Sequence, residues 1–162
     1  MNRSAARSAE PEWFAVPDAE AGRDGTGLRF SCTMCGNCCS GPEGYVLVTD
    51  DEIAALARRL GMSVADFTKR HTHVTSEGRS LREKRTDHGL DCEFLDRDTV
   101  PGKAVCGVYE DRPLQCRTWP FWPSVIKSRQ AWERAKRVCP GIDKGKKYTL
   151  VQIRVQRDAC DI

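Results

Sequence analysis

Apolar residues recur at helical spacing most clearly in TDDEIAALARRLG, where Ile53, Leu56, Ala57 and Leu60 fall at i, i+3, i+4 and i+7. Such spacing puts them on one stripe of a helix. Thr49 and Glu52 have the spacing of a capping box, and Asp50 and Asp51 place negative charge in the first turn, where the helix dipole favours it. Arg58 and Arg59 suit the last turn, and Gly61 is placed to close the helix in the left-handed conformation. Ser63 then caps a second short helix, VADFTKRH, with Asp66 three residues on. Two short helices joined by a tight turn are also the outline of a DNA-reading motif. With no third helix and no basic face beside them, the pattern predicts an ordinary helical hairpin packed on the core.

Elsewhere the pattern is shorter in range. LRFSC, residues 28–32, reads as an extended lead-in, and YVLV, residues 45–48, as a buried strand. Residues 72–91 are polar and charged and predict a loop or an irregular hairpin. Strand-like pieces at 93–95 and 104–109 flank a turn at Pro101-Gly102. A helix is predicted from Ser124 to Val138, with Val125, Ile126, Trp132 and Ala135 facing inward, and Cys139-Pro140-Gly141 ends it. In YTLVQIRVQRDAC two patterns compete: Val151, Ile153 and Val155 alternate as in a strand, whereas Thr149 is placed to cap a helix. Residues 1–27, rich in Ala, Glu, Gly, Arg and Pro, predict an N-terminal tail, within which Trp13 and Phe14 are able to dock. The expected organisation is this disordered tail followed by one domain over residues 28–162. Its expected fold class is α+β: a small cysteine-rich, metal-stabilised domain with short helices, few short strands and irregular loops.

Composition changes the picture at one point. The chain has 162 residues, 40% of them apolar and 30% charged, with a net charge of +3. A scattered charge this small gives no reason to expect a nucleic-acid partner. No run approaches the roughly 18 apolar residues of a membrane span. MNRSAARSAEPEW lacks the apolar stretch of a secretory signal, so the expected compartment is the cytoplasm. The nine cysteines are the anomaly. In a reducing compartment structural disulfides are rare, so such a number points to metal ligation or redox chemistry.

Four of the nine lie in SCTMCGNCCSG. Cys32, Cys35 and Cys38 repeat the C-x2-C spacing twice, and Cys39 follows directly. Thiolates at that spacing face one centre because the intervening turn curls the backbone around it, and turn N–H groups offset their charge. Gly36 and Asn37 tolerate the positive φ such a turn needs. Cys92, Cys106, Cys116 and Cys139 follow downstream, three of them near Gly107, Pro113 or Pro140. Eight thiols suit two four-thiolate zinc sites or, equally, an iron–sulfur cluster plus another metal. The adjacent pair Cys38-Cys39 is the expected junction between two positions. Cys160 reads as a small buried hydrophobe. Of the histidines, His71 and His73 are expected at the surface, while His88, four residues before Cys92, is the best placed to replace a thiolate. Arg112 and Arg117 bracket Cys116 and are able to offset thiolate charge. Trp119, Phe121 and Trp122 are expected to form an apolar cover over the metal. No nucleophile elbow, phosphate-binding glycine loop or H-E-x-x-H motif is present.

CTMCGNCC, CEFLD, CGVYEDRPLQCRTWPFWP and CPGIDKG, taken in this order, resemble the zinc- or iron-chelating C-x2-C-x2-C-C cysteine-cluster family from about residue 28 to 148. A related cluster occurs in flagellin lysine methylases. The resemblance implies metal binding by Cys32, Cys35, Cys38, Cys39, Cys92, Cys106, Cys116 and Cys139, with zinc or iron as cofactor, and it implies no particular reaction. The expected function is a zinc- or iron-binding protein with a structural, sequestration or delivery role. The alternative is an iron–sulfur enzyme or accessory subunit in redox or methyl-transfer chemistry, and a weaker third is a zinc-stabilised adaptor. Expected partners are metal ions and a partner protein, without a membrane. Apo protein is expected to fold poorly.

Overall fold

In the computed structural model residues 11–17 and 26–160 are described. The predicted tail over 1–27 therefore lies largely outside the described residues. Within it, Trp13–Ala15 form a 3-10 turn whose Phe14 is buried, and the Trp13 indole N–H donates to the Ile126 carbonyl at 2.7 Å.

The architecture is α+β. Among the described residues there are six α-helices and nine short strands. The lead-in becomes β1 (Leu28–Phe30), and the brief β2 (Ser40–Gly41) follows the cysteine cluster. Helix α1 (Asp50–Arg59) starts on the complete Thr49/Glu52 capping box, and α2 (Val64–His71) starts on Ser63, whose hydroxyl accepts from the Asp66 N–H. Ile53, Leu56 and Ala57 are buried, but Leu60 is 41% exposed, because the helix ends at Arg59 and the chain turns away through Gly61 at φ 66°. Residues 72–91 form two hairpins rather than a loop: β3 (Thr72–Thr75) with β4 (Gly78–Leu81), and β5 (Glu83–Thr86) with β6 (Gly89–Cys92). The second hairpin accepts β2 along β6, giving the order β2-β6-β5.

The YVLV run is not a strand. It touches β4 through an isolated Leu47–Ser80 bridge, with the Val48 N–H donating to the Arg79 carbonyl and the Leu81 N–H to the Val46 carbonyl, and three further backbone groups are held by side chains. The Ser80 hydroxyl accepts from the Val46 N–H at 2.9 Å. Buried Gln115 accepts from the Leu47 N–H and donates to the Tyr45 carbonyl. Side chains thus satisfy groups that a second strand would otherwise take.

Downstream, β7 (Leu95–Asp96) and β8 (Val105–Cys106) pair across the Pro101-Gly102 turn. The helix expected over 124–138 is divided. After α3 (Leu114–Thr118) come α4 (Pro123–Ile126) and α5 (Arg129–Val138), separated by Ser128 in extended geometry, whose hydroxyl caps Ala131. Ser128 thus competes with the helix for its own backbone, as serine does at caps. Strand β9 (Lys146–Tyr148) pairs antiparallel with β1. The terminal ambiguity resolves as a helix, α6 (Leu150–Ala159), begun by a capping box between Thr149 and Gln152. Ile153 is fully buried, while Val151 and Val155 are about two-thirds exposed (68% and 64%).

Two apolar clusters result. One joins Phe14, Leu28, Phe121, Trp132 and Ile153 between β1, α5 and α6. The other joins Ile53, Leu56, Phe67, Leu81 and Val108 between α1, α2 and β4. Burying a side chain such as Leu56 or Phe67 is worth about 2 kcal/mol. Each cluster is small, and eight of the nine cysteines line the space between them. No helix of the described residues is long and apolar enough to cross a membrane.

Candidate metal centre

The loop from Ser31 to Cys39 has little regular structure, so neighbouring segments must hold its backbone. On one side the Ser31 N–H donates to the Gly141 carbonyl, and Asn37 Nδ2 donates to the Val138 carbonyl at 2.7 Å, just before Cys139. On the other side the Ala104 N–H donates to the Met34 carbonyl at 2.7 Å, and Lys103 reaches the Thr33 carbonyl. Met34 sits at φ 55° and Gly36 at φ 78°. These left-handed residues curl the chain so that the Met34 N–H donates to Cys32 Sγ at 3.4 Å. A Cβ on Gly36 would lie 2.7 Å from the Ala104 methyl and 3.2 Å from the Arg97 guanidinium, so this position needs glycine for space as well as for φ.

Each downstream cysteine comes from a different element: Cys92 ends β6, Cys106 lies in β8, Cys116 in α3, and Cys139 caps α5. All four meet Cys32, Cys35, Cys38 and Cys39 on the wall of one cavity of about 340 Å³. None of these eight is in a disulfide. Cys160 is buried at the end of α6, away from this wall. The cavity lies between the two apolar clusters and takes Phe30 and Trp119 from one side and Leu81, Phe94 and Val108 from the other.

Electrostatics differ from thiol to thiol. Cys38 and Cys39, in the 3-10 turn Asn37–Cys39, place their sulfurs 3.7 Å apart. A hydrogen bond from the Cys39 thiol to the Cys38 sulfur brings Cys38 down to about 7 against the opposing effect of burial, with Arg112 assisting. That same bond, with burial and the charge of Cys38, holds Cys39 far above the usual thiol range. Burial raises Cys92 to about 11 and Cys116 further, and it raises Cys106 as well. Arg112, stacked 3.6 Å over the Tyr109 ring, lines the cavity and opposes part of that rise at Cys106 and Cys116.

The other expectations divide. Trp119 and Trp122 line the cavity, but Phe121 does not: it is fully buried in the first cluster, 6.2 Å from Trp132 and 4.7 Å from Tyr148. Arg117 is absent from the wall. No histidine of the described residues lines it either. His71 pairs with Glu93 at 2.9 Å, and His88 lines a separate polar cleft beside Asp91, Asp96 and Arg97. The pattern also gave no sign of Arg97. Its Nε donates to Asp91 at 2.8 Å and its Nη2 reaches both Asp91 and Ser40, bringing a positive charge against the cysteine loop, where it interacts with Cys35 and Cys39. Asp91 is 1% exposed, and Arg97 holds its carboxyl down at about 2. Asp91 precedes Cys92 and Gln115 precedes Cys116; adjacency to a cysteine was the one available signal for either.

As a test of fit, the donors are thiols, the ligands preferred by zinc and by iron–sulfur clusters. Zinc–sulfur bonds of about 2.3 Å place two sulfurs of a tetrahedron ~3.8 Å apart, close to the 3.7 Å between Cys38 and Cys39. Among the described residues, no three His, Cys, Asp or Glu side chains are drawn together tightly enough to enclose one ion. The donor chemistry fits, and enclosing an ion would require these side chains to move inward.

The CxxCxxCC family, described as a "Putative zinc- or iron-chelating domain", matches residues 31–140. An uncharacterized protein of Methanocaldococcus jannaschii is 30% identical over 95 residues, covering 59% of this chain and 46% of that relative. The chain thus spans less than half the length of this curated relative. No solved structure matches. With its cysteine spacing, the convergence of its thiols and the match over residues 31–140, the chain belongs to the CxxCxxCC family.

Proposed function

We propose that Cys32, Cys35, Cys38, Cys39, Cys92, Cys106, Cys116 and Cys139 hold a zinc or iron centre that joins the two apolar clusters, in a cytoplasmic protein whose role is structural, sequestering or delivering. One observation carries this reading: eight cysteines from five separate chain segments line a single cavity, and none of the eight is in a disulfide. Four thiolates per ion give two zinc sites, with Cys38-Cys39 at their junction. Met34 N–H, Arg112 and Arg97 offset the charge that such sites accumulate, a requirement of buried thiolate centres. Because burial holds Cys92, Cys106 and Cys116 protonated, loading releases protons, and acid favours the empty chain.

The second reading, an iron–sulfur centre in a redox or methyl-transfer enzyme or accessory subunit, draws on the size of the cavity. About 340 Å³ is ample for inorganic sulfide as well as metal, and four thiolates hold such a cluster.

Serine substitutions test the ligand assignment. Cys35→Ser and Cys116→Ser are each expected to lower the metal bound per chain in elemental analysis, while Cys160→Ser leaves it unchanged. If neither of the first two lowers it, the assignment is wrong.

A further inference from the structure

Protein interiors leave few polar atoms without a partner, and those left over beside a cavity bear on what its guest must supply. Three buried side-chain atoms among the described residues lack a hydrogen-bond partner: Thr33 Oγ1, Glu93 Oε1 and Trp119 Nε1. Glu93 lies on the polar cleft, but Thr33 and Trp119 both line the cysteine cavity. Comparison among the four tryptophans isolates the second of these. The indole N–H of Trp13 donates to the Ile126 carbonyl at 2.7 Å, that of Trp122 to the Gln115 carbonyl at 2.9 Å, and that of Trp132 to Asp143 at 2.9 Å. Trp119, whose ring packs 4.8 Å from that of Trp122, has no such acceptor. Neither orphan faces a shortage of sulfur: Thr33 follows Cys32 directly, and Trp119 comes three residues after Cys116.

An indole N–H can only donate, so its missing partner is an acceptor. The remaining wall is mostly apolar, and it offers sulfur in quantity. In the protonated state the thiols are weak acceptors, whereas metal-bound thiolate or sulfide carries negative charge and accepts well. We infer that Trp119 Nε1–H and Thr33 Oγ1–H are positioning donors to the sulfurs of the bound centre, filling their vacant valences when the metal is loaded. This rests on the thiolate centre proposed above and adds two residues that ligate nothing themselves. Each would draw a sulfur toward itself and lower its electron density, which would make the centre more stable and its sulfurs less basic.

Cobalt(II) loading of the full chain under anaerobic conditions tests this, because its sulfur-to-metal charge-transfer band reports electron density on sulfur. Trp119→Phe keeps a ring and removes the N–H; Thr33→Val keeps the branched shape and removes the hydroxyl. Each is expected to move the band to longer wavelength and to weaken zinc in chelator competition by about 10-fold or more, the usual effect of removing a hydrogen bond to a metal ligand. Thr33→Ser restores both values. Trp122→Phe serves as the packing control: its N–H is already engaged by Gln115 and Thr118, so the band should stay in place even where stability falls. Unchanged band position and zinc affinity in both Trp119→Phe and Thr33→Val, in a chain that loads cobalt normally, overturn the inference and leave the thiolate centre intact. A band that shifts equally in Trp122→Phe also overturns it, since packing alone would then account for the change. A wild-type chain that takes up neither cobalt nor zinc removes the centre and this inference together.

Discussion

Stripping the metal with a chelator under reducing conditions is expected to abolish the cooperative thermal transition of the chain. The reason lies in how the interior is divided. Neither apolar cluster is large: one centres on Trp132 and Phe121, the other on Leu56 and Phe67, and the cavity wall lies between them. Thiolate–metal bonds across that gap would be worth a large share of the roughly 5–15 kcal/mol by which a domain is stable. Structural zinc in small peptides supplies about 10–16 kcal/mol at neutral pH. Without the ion, eight thiols, five of them only partly buried, are poor substitutes for packed hydrocarbon. Circular dichroism during heating is the measurement. A sigmoidal melt before chelation, a gradual loss of signal after it, and recovery on adding zinc or iron back are the expected results. A chelated chain that melts as sharply and at the same temperature would show that the clusters hold the fold unaided.

Asp91→Ala is expected to cost about 3–5 kcal/mol, the usual penalty for removing one partner of a buried ion pair, and to weaken metal binding at the same time. Asp91 is 1% exposed and holds the Arg97 guanidinium through two hydrogen bonds of 2.8 and 3.1 Å. That guanidinium in turn lies against Gly36 and reaches Ser40, on either side of the Cys38-Cys39 pair. Losing the carboxylate leaves Arg97 without its anchor and frees the β2 end of the cysteine loop. Urea titration of the metal-loaded protein and chelator competition read the two effects. Removing both charges, with Asp91→Ala and Arg97→Met together, should recover part of the stability, because no buried charge is then left unpaired. If Asp91→Ala leaves both midpoint and metal affinity unchanged, the pair has no part in holding the loop.

What the chain disclosed in advance follows from the range of the interactions involved. The α1 boundary was legible because Thr49, Glu52, Asp50 and Asp51 act within one turn, and the structure realises that capping box in full. Only its last position, Leu60, was read as buried and proved exposed, since a helix that ends at Arg59 takes the next residue off the stripe. Gathering eight cysteines on one wall was legible from spacing and from the family resemblance. Less legible were features that depend on partners far along the chain. YVLV has the composition of a strand, yet two of its backbone groups, the Leu47 N–H and the Tyr45 carbonyl, are taken by Gln115, 68 residues beyond Leu47. Ser128 was read as helix interior and became a cap. Phe121 was taken for a lid over the metal on the strength of its aromatic neighbours, but it belongs to the first cluster. The Asp91–Arg97 pair left no periodic trace at all, because a polar residue in a short hairpin is normally read as solvent-facing.

Whether the cavity thiols hold a metal is tested by purifying the full chain without oxygen, recording its visible spectrum and quantifying bound metal and reactive thiols. Bound zinc or iron is expected, with the cavity thiols becoming reactive only after a chelator is added. Colourless protein with about two zinc ions selects two four-thiolate sites, and brown protein with a broad band near roughly 400 nm selects the iron–sulfur centre. A chain that carries no metal, takes none up when zinc or iron is supplied, and exposes its cavity thiols to reagent from the start would show that these thiols are not metal ligands.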